Sequence, residues 1–422
     1  MKTQDQILEE LKVKIDSIPG EKEKIEEIIF FVLIYGDSFG ERNVPLLEYG
    51  IQLSKEIDFE CGEVLCQYNL MFFGGMTQGH FNSKYNRTLP ELVQMLEKLK
   101  PEPSYYAVGL NLIAFFHWFR GEYEKGFDLI FEATKLTGGN DRYSLAWNYF
   151  ALGVFYFDTK DYENSKVSYQ KAHQMFLDDG SEYGQARSMN GMASAAIMQN
   201  KTEEALPLLE FAINTYRKLS HHSGLSRAVN DMGQLEKANK NYEKAIELFE
   251  ESVELRKVLN HLQGLITSYT ELGEVYLLTG NYTVALEQFK KGLVLAHEVK
   301  TKQKQMRLHK LFYDTYKELK NTDLALENLE RFYELKSELL SDEAANNIKK
   351  IQTKNEKEKS EKEAEIERLK NVELKSAYME IEEKNKEILD SIRYAKRIQE
   401  SLLPTDKYIE KNLERLRLKR EK

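Results

Sequence analysis

The sequence predicts an all-α chain: a solenoid of stacked helix pairs with a period of about 40 residues, followed by a long coiled-coil helix. Three observations carry that expectation. A small residue recurs in one phrase at Leu152-Gly153, Met192-Ala193, Met232-Gly233 and Leu272-Gly273, each 40 residues from the next. Strand signals are almost absent. After about Leu340 the repeat stops, and Lys349 to Glu387 is dominated by Lys and Glu without Pro or Gly, the composition of a long helix.

From the N-terminus, Ile25 to Tyr35, Val44 to Ile57, Gly62 to Phe73 and Leu89 to Leu99 read as four helices without clean register. Residues 1–104 are therefore expected to form an irregular N-terminal cap of the array. The array itself is expected over 105–340, in six units. Taking Gly273 as the origin, Tyr276, Asn281-Tyr282, Ala285, Phe289 and Gly292 mark the unit. The same offsets give Asn241-Tyr242, Ala245 and Phe249 from Gly233, Asp161-Tyr162, Ser165 and Tyr169 from Gly153, and Ala205 and Leu209 from Ala193. Small residues fall where two helices approach closely, and large apolar ones where the gap must be filled. Each half of the unit has helical spacing, and Gly280, Lys160, Asn200 and Lys240 stand where one helix must close in the left-handed conformation.

This ruler, a small residue with an aromatic three on and then small, aromatic and small on the second helix, resembles the tetratricopeptide repeat family. The family's usual period is shorter, so the resemblance implies longer helices within each pair. It implies the fold and says little of function.

Composition sets bounds. The chain has 422 residues and 41% hydrophobic content, enough for a long core and a solvated extension. Its longest apolar run, Ile28 to Tyr35, is too short to span a bilayer, and Met1-Lys2-Thr3-Gln4-Asp5 does not open a signal peptide. Cytoplasmic residence, with no membrane insertion, is the expectation. A net charge of -9 gives no global pull toward nucleic acid. Cys61 and Cys66, five apart on one helix, read as buried packing residues.

Within the charged segment, assigned to 341–404 as a signalling helix, Leu374, Ile381, Ile388, Ala395 and Leu402 are each seven apart, with Ala377, Ser391 and Ile398 on complementary positions. This is a heptad seam, and it predicts a homodimer through a coiled coil; the competing reading is a single solvated helix. The end of the seam, Ala395 through Pro404 (Ala-Lys-Arg-Ile-Gln-Glu-Ser-Leu-Leu-Pro), resembles the linker helix ahead of the catalytic domain in bacterial metal-dependent serine/threonine phosphatases of the sporulation stage II protein E type. The resemblance implies an input and transmission part. Thr405 to Lys422, a basic tail with seven Lys or Arg against four acidic residues, offers no Gly-Asp pair or acidic cluster for that family's two-metal site, so no catalytic residue carries over.

No glycine-rich phosphate loop, zinc-type cluster or nucleophile elbow is found, so no metal, cofactor or enzymatic activity is expected. His221-His222 reads as a solvated loop, and His117, among Phe115, Phe116, Trp118 and Phe119, as a packed core residue. The candidate site is instead the concave face lined by the first helices, with a protein or peptide as ligand. Six residues before the small position lie Trp147, Arg187, Arg227, Thr267 and Arg307; three before it lie Phe150, Asn190, Asn230, Thr270 and Lys310. Amides can clamp a peptide backbone and arginine forks suit carboxylates or phosphates, while the bland alternative is that these groups only keep the face soluble. The function expected is non-catalytic binding and signalling; the alternative is the regulatory part of a serine/threonine phosphatase whose catalytic domain is missing or on another chain.

Overall fold

The computed structural model describes residues 1–76, 89–119, 121–137, 141–402 and 406–420, with side chains described except at 37, 41, 72–76, 89, 119, 341–369, 371–372, 399–402, 406 and 420. The described residues divide into two compact units, Met1–Leu339 and Leu340–Lys422.

The first unit opens with α1 (Gln4–Ser17), α2 (Glu21–Phe39), α3 (Val44–Glu56), α4 (Glu60–Met76) and α5 (Leu89–Glu97). Helix α1 was not expected from the sequence, yet it carries a capping box, Thr3 accepting from the Gln6 amide while the Gln6 side chain accepts from the Thr3 amide. Helix pairs follow: α6 (Pro103–Phe119) with α7 (Tyr123–Leu136), α8 (Arg142–Asp158) with α9 (Tyr162–Asp178), α10 (Glu182–Met198) with α11 (Thr202–Lys218), α12 (His222–Ala238) with α13 (Tyr242–Val258), and α14 (Leu262–Leu278) with α15 (Tyr282–Glu298). Helix α16 (Lys302–Glu318) pairs with the start of α17 (Thr322–Leu402).

The 40-residue period splits into two equal halves. Lys160, Gly180, Asn200, Ser220, Lys240, Asn260, Gly280, Lys300 and Lys320 all have positive φ, between 50° and 78°, one every 20 residues. At each, the amide of the next residue bonds a carbonyl five back, as Asp161 does to Tyr156 and Asn281 to Tyr276, closing a Schellman turn. Only Gly180 and Gly280 adopt this conformation free of a Cβ penalty; elsewhere the turn is held because the packed helices on both sides leave no alternative.

Between the two helices of a pair, the small residue receives the ring sixteen positions on. A Cβ placed on Gly273 would lie 2.4 Å from Phe289, and one on Gly233 2.7 Å from Phe249. Where the small residue is Ala193, its counterpart is the smaller Leu209, and both are fully buried.

Successive first helices (α6, α8, α10, α12, α14, α16) pack against one another, whereas successive second helices make no comparable contact, so the first unit curves with its first helices inside. That curvature brings α2 back against α12. Ile34 joins the core formed by Tyr183, Tyr216 and Leu225, Phe30 meets Tyr143 with ring centroids 5.6 Å apart, and the Ser223 amide donates to Ser38 Oγ.

This contact corrects the reading of His221-His222 as a solvated loop. His221 has no exposed surface: Nδ1 accepts from the Gly224 amide as the cap of α12, and Nε2 lies 2.8 Å from the carbonyl of Ile34. With one nitrogen accepting, the other must donate, which fixes the neutral tautomer. His117 is a packed residue, and the two cysteines are buried, burial pushing the Cys66 thiol up to about 12.

In the second unit, α17 continues to Leu402 and α18 spans Asp406–Arg420, so most of the basic tail is helical. Leu374, Ala377, Ile381, Ile388, Ala395 and Ile398 are exposed on α17. The side chain of Leu402, and Pro404 of the linker phrase, lie outside the described residues.

Candidate functional site

The inner face is built from the repeat upward. A first helix of 17 residues places positions three and six before the small residue on its inward side, one turn apart. The structure separates these two rows. In the row three before, Asn190, Asn230 and Thr270 are at most 3% exposed. Asn190 Nδ2 donates to Asp231 on the next first helix (2.8 Å), Asn230 Oδ1 accepts from Arg256 and Ser268, and Thr270 Oγ1 donates to the Ile266 carbonyl of its own helix (2.7 Å). In the row six before, Arg187 and Arg227 are half-buried and Arg307 is exposed. The Arg187 guanidinium lies among the rings of Trp147, Phe150 and Tyr183, its carbon 4.9 Å from the Phe150 centroid, and donates to the Tyr183 hydroxyl. Lys310 pairs with Asp314 and stands over the Tyr313 ring.

Charged groups that the repeat reading did not single out link these helices. Asp231 accepts from Asn190 and from Ser194 Oγ (2.7 Å); burial pushes its carboxyl above the usual range against those hydrogen bonds and the Arg227 and Arg256 charges. Glu271, 4% exposed as a side chain, is bracketed by Lys237 from α12 (2.5 Å) and Arg307 from α16 (2.9 Å), and Glu274 is shared by the same two cations. Burial drives the Glu271 carboxyl up, but the two cations and their hydrogen bonds outweigh it and hold it below the usual range. The inner face from α12 to α16 is thus a ladder of bonds between successive repeats.

Two further cations meet at α14. Arg256, from the second helix α13, passes between first helices to donate through Nη1 to Gly264 O, Ser268 Oγ and Asn230 Oδ1. Lys304 reaches back from α16 to Gln263 O (2.6 Å) and Thr267 Oγ1 (3.1 Å), and burial with the nearby Arg256 and Arg307 charges brings its ammonium down to about 8. A signal for both was present in the sequence: Arg256 stands where the repeat has Phe176 and Tyr216, and Lys304 where it has Gly184, Gly224 and Gly264.

Among the described residues no group of three or more His, Cys, Asp or Glu could hold a metal ion, and no helix is long and apolar enough to cross a membrane.

Residues 143–218 and 224–296 match the tetratricopeptide repeat family. Over these stretches the chain is similar to tetratricopeptide repeats. No curated protein matches the chain significantly. Among solved structures, a Rap protein complexed with competence and sporulation factor aligns at 14% identity over 79% of this chain and 99% of its own, with a TM-score of 0.53. A hetero-tetramer of the APC/C aligns at 13% identity over 79% of this chain and 57% of its own (TM-score 0.56). A signal-transduction ATPase with numerous domains and a tetratricopeptide repeat sensor, from Pyrococcus horikoshii, aligns at 18% over 74% and 46% (TM-score 0.52). These likenesses establish the shared fold.

Proposed function

We propose that the chain is a cytoplasmic, non-catalytic interaction and signalling protein that captures a peptide or protein segment on the inner face of its first unit and dimerises through the seam of α17. The observation that carries the first half is the exposed polar surface at the C-terminal end of the inner face. Arg307 and Lys310 keep 48% and 44% of their side chains exposed, while Asn190, Asn230 and Thr270 are buried. A Rap protein is known in complex with competence and sporulation factor, which supports the reading by analogy of fold. The second half rests on the exposed apolar side chains at the heptad positions Leu374, Ile381 and Ile388.

Peptides selected from a displayed random library on the purified chain should bind Lys310→Glu more weakly by fluorescence anisotropy, with circular dichroism unchanged. Equal binding by both proteins, or failure to select any peptide, sinks the groove assignment. Arg187 is a poor site for the test, because reversing a charge stacked among three rings perturbs the core itself.

The phrase from Ala395 to Pro404 favours a second reading, the regulatory part of a serine/threonine phosphatase. Turnover of a phosphopeptide by the purified chain with manganese, above a metal-free control, would overturn the non-catalytic reading. A phosphatase frame in the coding sequence just downstream would establish this second one.

A further inference from the structure

The sharpest departures from the repeat are both basic, and they converge. In two successive repeats an aromatic ring from the second helix packs on the glycine that opens the next first helix, Phe176 on Gly184 and Tyr216 on Gly224. The next repeat puts Arg256 on Gly264, and the one after replaces the glycine with Lys304, opposite Ala296. Arg256 is 6% exposed, and its Nε has no hydrogen-bond partner, all of its bonds running through Nη1 to neutral oxygens. Lys304 likewise donates only to neutral oxygens, Gln263 O and Thr267 Oγ1, leaving one ammonium proton uncommitted. Neither cation has a carboxylate within salt-bridge distance among the described residues.

The charge around them does not balance. Among the described residues, Lys237, Arg256, Lys304 and Arg307 face three carboxylates, Asp231, Glu271 and Glu274. Two of those carboxylates are already bonded to Lys237 and Arg307, and the third accepts from the neutral Asn190 and Ser194. Moreover, Lys304 and Arg256 both sit on the first two turns of α14, where the helix dipole is positive and adds to their repulsion. An uncompensated desolvated cation is destabilising, and a repeat that tolerates Gly and Tyr here has an easy alternative to it.

We propose that this place is an oxyanion-binding site, in which Lys304 receives a carboxylate or phosphate group carried by a peptide, beside Arg307 and above Arg256. The proposal rests on the peptide-binding reading and names the chemistry that the groove selects. The ligand oxygen takes the uncommitted Lys304 proton as a charge-assisted hydrogen bond, and the exposed flank of Arg307 offers a second donor without breaking its bonds to Glu271 and Glu274. Arg256 makes no contact with the ligand. Buried beneath Gly264, it supplies positive potential through a low-dielectric layer.

The test pans a displayed library of random twelve-residue peptides against the full chain and against Lys304→Gln. Peptides won on the native chain should be enriched in Asp and Glu, should lose affinity about tenfold or more on Lys304→Gln, and should keep it on Lys304→Arg. Millimolar inorganic phosphate should compete, and exchanging one Asp for phosphoserine in a selected peptide tells which oxyanion fits better. Lys304→Met should raise the melting temperature of the free chain, because it removes a cation without a counter-ion; a merely structural lysine would lower it. Peptides selected without acidic enrichment, or bound equally by Lys304→Gln, overturn the oxyanion site and leave the groove reading standing. No peptide selected on the native chain overturns both.

Discussion

Replacing Gly273 by Ala asks how the array is built. A methyl there lies 2.4 Å from Cε1 and 2.6 Å from Cδ1 of Phe289, a ring with no exposed surface. Ordinary contact begins near 3.4 Å, so the ring must retreat about 1 Å into a core already filled by Ala285, Leu308 and Phe312. Overpacking of this kind costs about 1–3 kcal/mol. The array contains its own control in the Ala193 and Leu209 pair, where the larger small residue meets a smaller partner. Phe289→Leu alone leaves a void and costs on the order of 1–2 kcal/mol. Gly273→Ala with Phe289→Leu rebuilds the Ala193 arrangement, so the double variant should cost at least about 1 kcal/mol less than the sum of the singles. Because a repeat array can open unit by unit, the readout is hydrogen exchange at the amides of α14 and α15, with urea melts as a check. Additive costs, or a Gly273→Ala variant as protected as the native chain, would refute the sixteen-residue pairing of small residue with ring.

Three further outcomes follow from the same contacts. His221→Ala removes the cap of α12 and orphans the Ile34 carbonyl, costing about 2 kcal/mol; exchange should quicken in α2, and unchanged rates there would mean that α2 is held by its apolar contacts alone. Glu271→Gln leaves Lys237 and Arg307 with Glu274 as their one shared carboxylate, a loss on the order of 2 kcal/mol at pH 7. Since the folded carboxyl sits below the usual 4.5, the native chain holds this stability above that pH and sheds it as pH falls through the lower folded value; the variant should lack that acid-side loss in urea midpoints measured across pH. Ile381→Asp with Ile388→Asp places charge on the seam and should turn a dimer into a monomer in sedimentation velocity, whereas a native chain that sediments as a monomer removes the dimer reading.

The parts of the fold legible in the sequence are those fixed by near neighbours. Gly153, Ala193, Gly233 and Gly273 announce the period because each must admit a side chain only sixteen residues away, and Gly280 or Lys160 announces the turn because only one backbone conformation joins the helices. Helix α1 hides because it buries little beyond Leu11 and Ile15, although Thr3 and Gln6 carried its cap in plain view. The return of α2 onto α12 is of another kind. It is the accumulated curvature of many stacked pairs, which no single repeat encodes, and so His221 read as a loop residue when it is the buried joint between Ile34 and Gly224.

The same distinction orders the site. Periodicity tells which side of a first helix faces inward, but depth depends on what the next repeat places there. Positions three before the small residue point at the following first helix, so Asn190 is taken up by Asp231 and Asn230 by Ser268, while Lys310 escapes because no further first helix follows α16 in the array. Positions six before it, and Lys304 nine before, lie above that contact line and keep surface. Any ligand of this face therefore meets arginines and a lysine before it meets amides. Carboxylates bridging neighbouring repeats already hold Arg307, and aromatic rings hold Arg187, so a peptide gains affinity only by adding an acceptor that these residues lack. Lys304 is where such an acceptor displaces nothing.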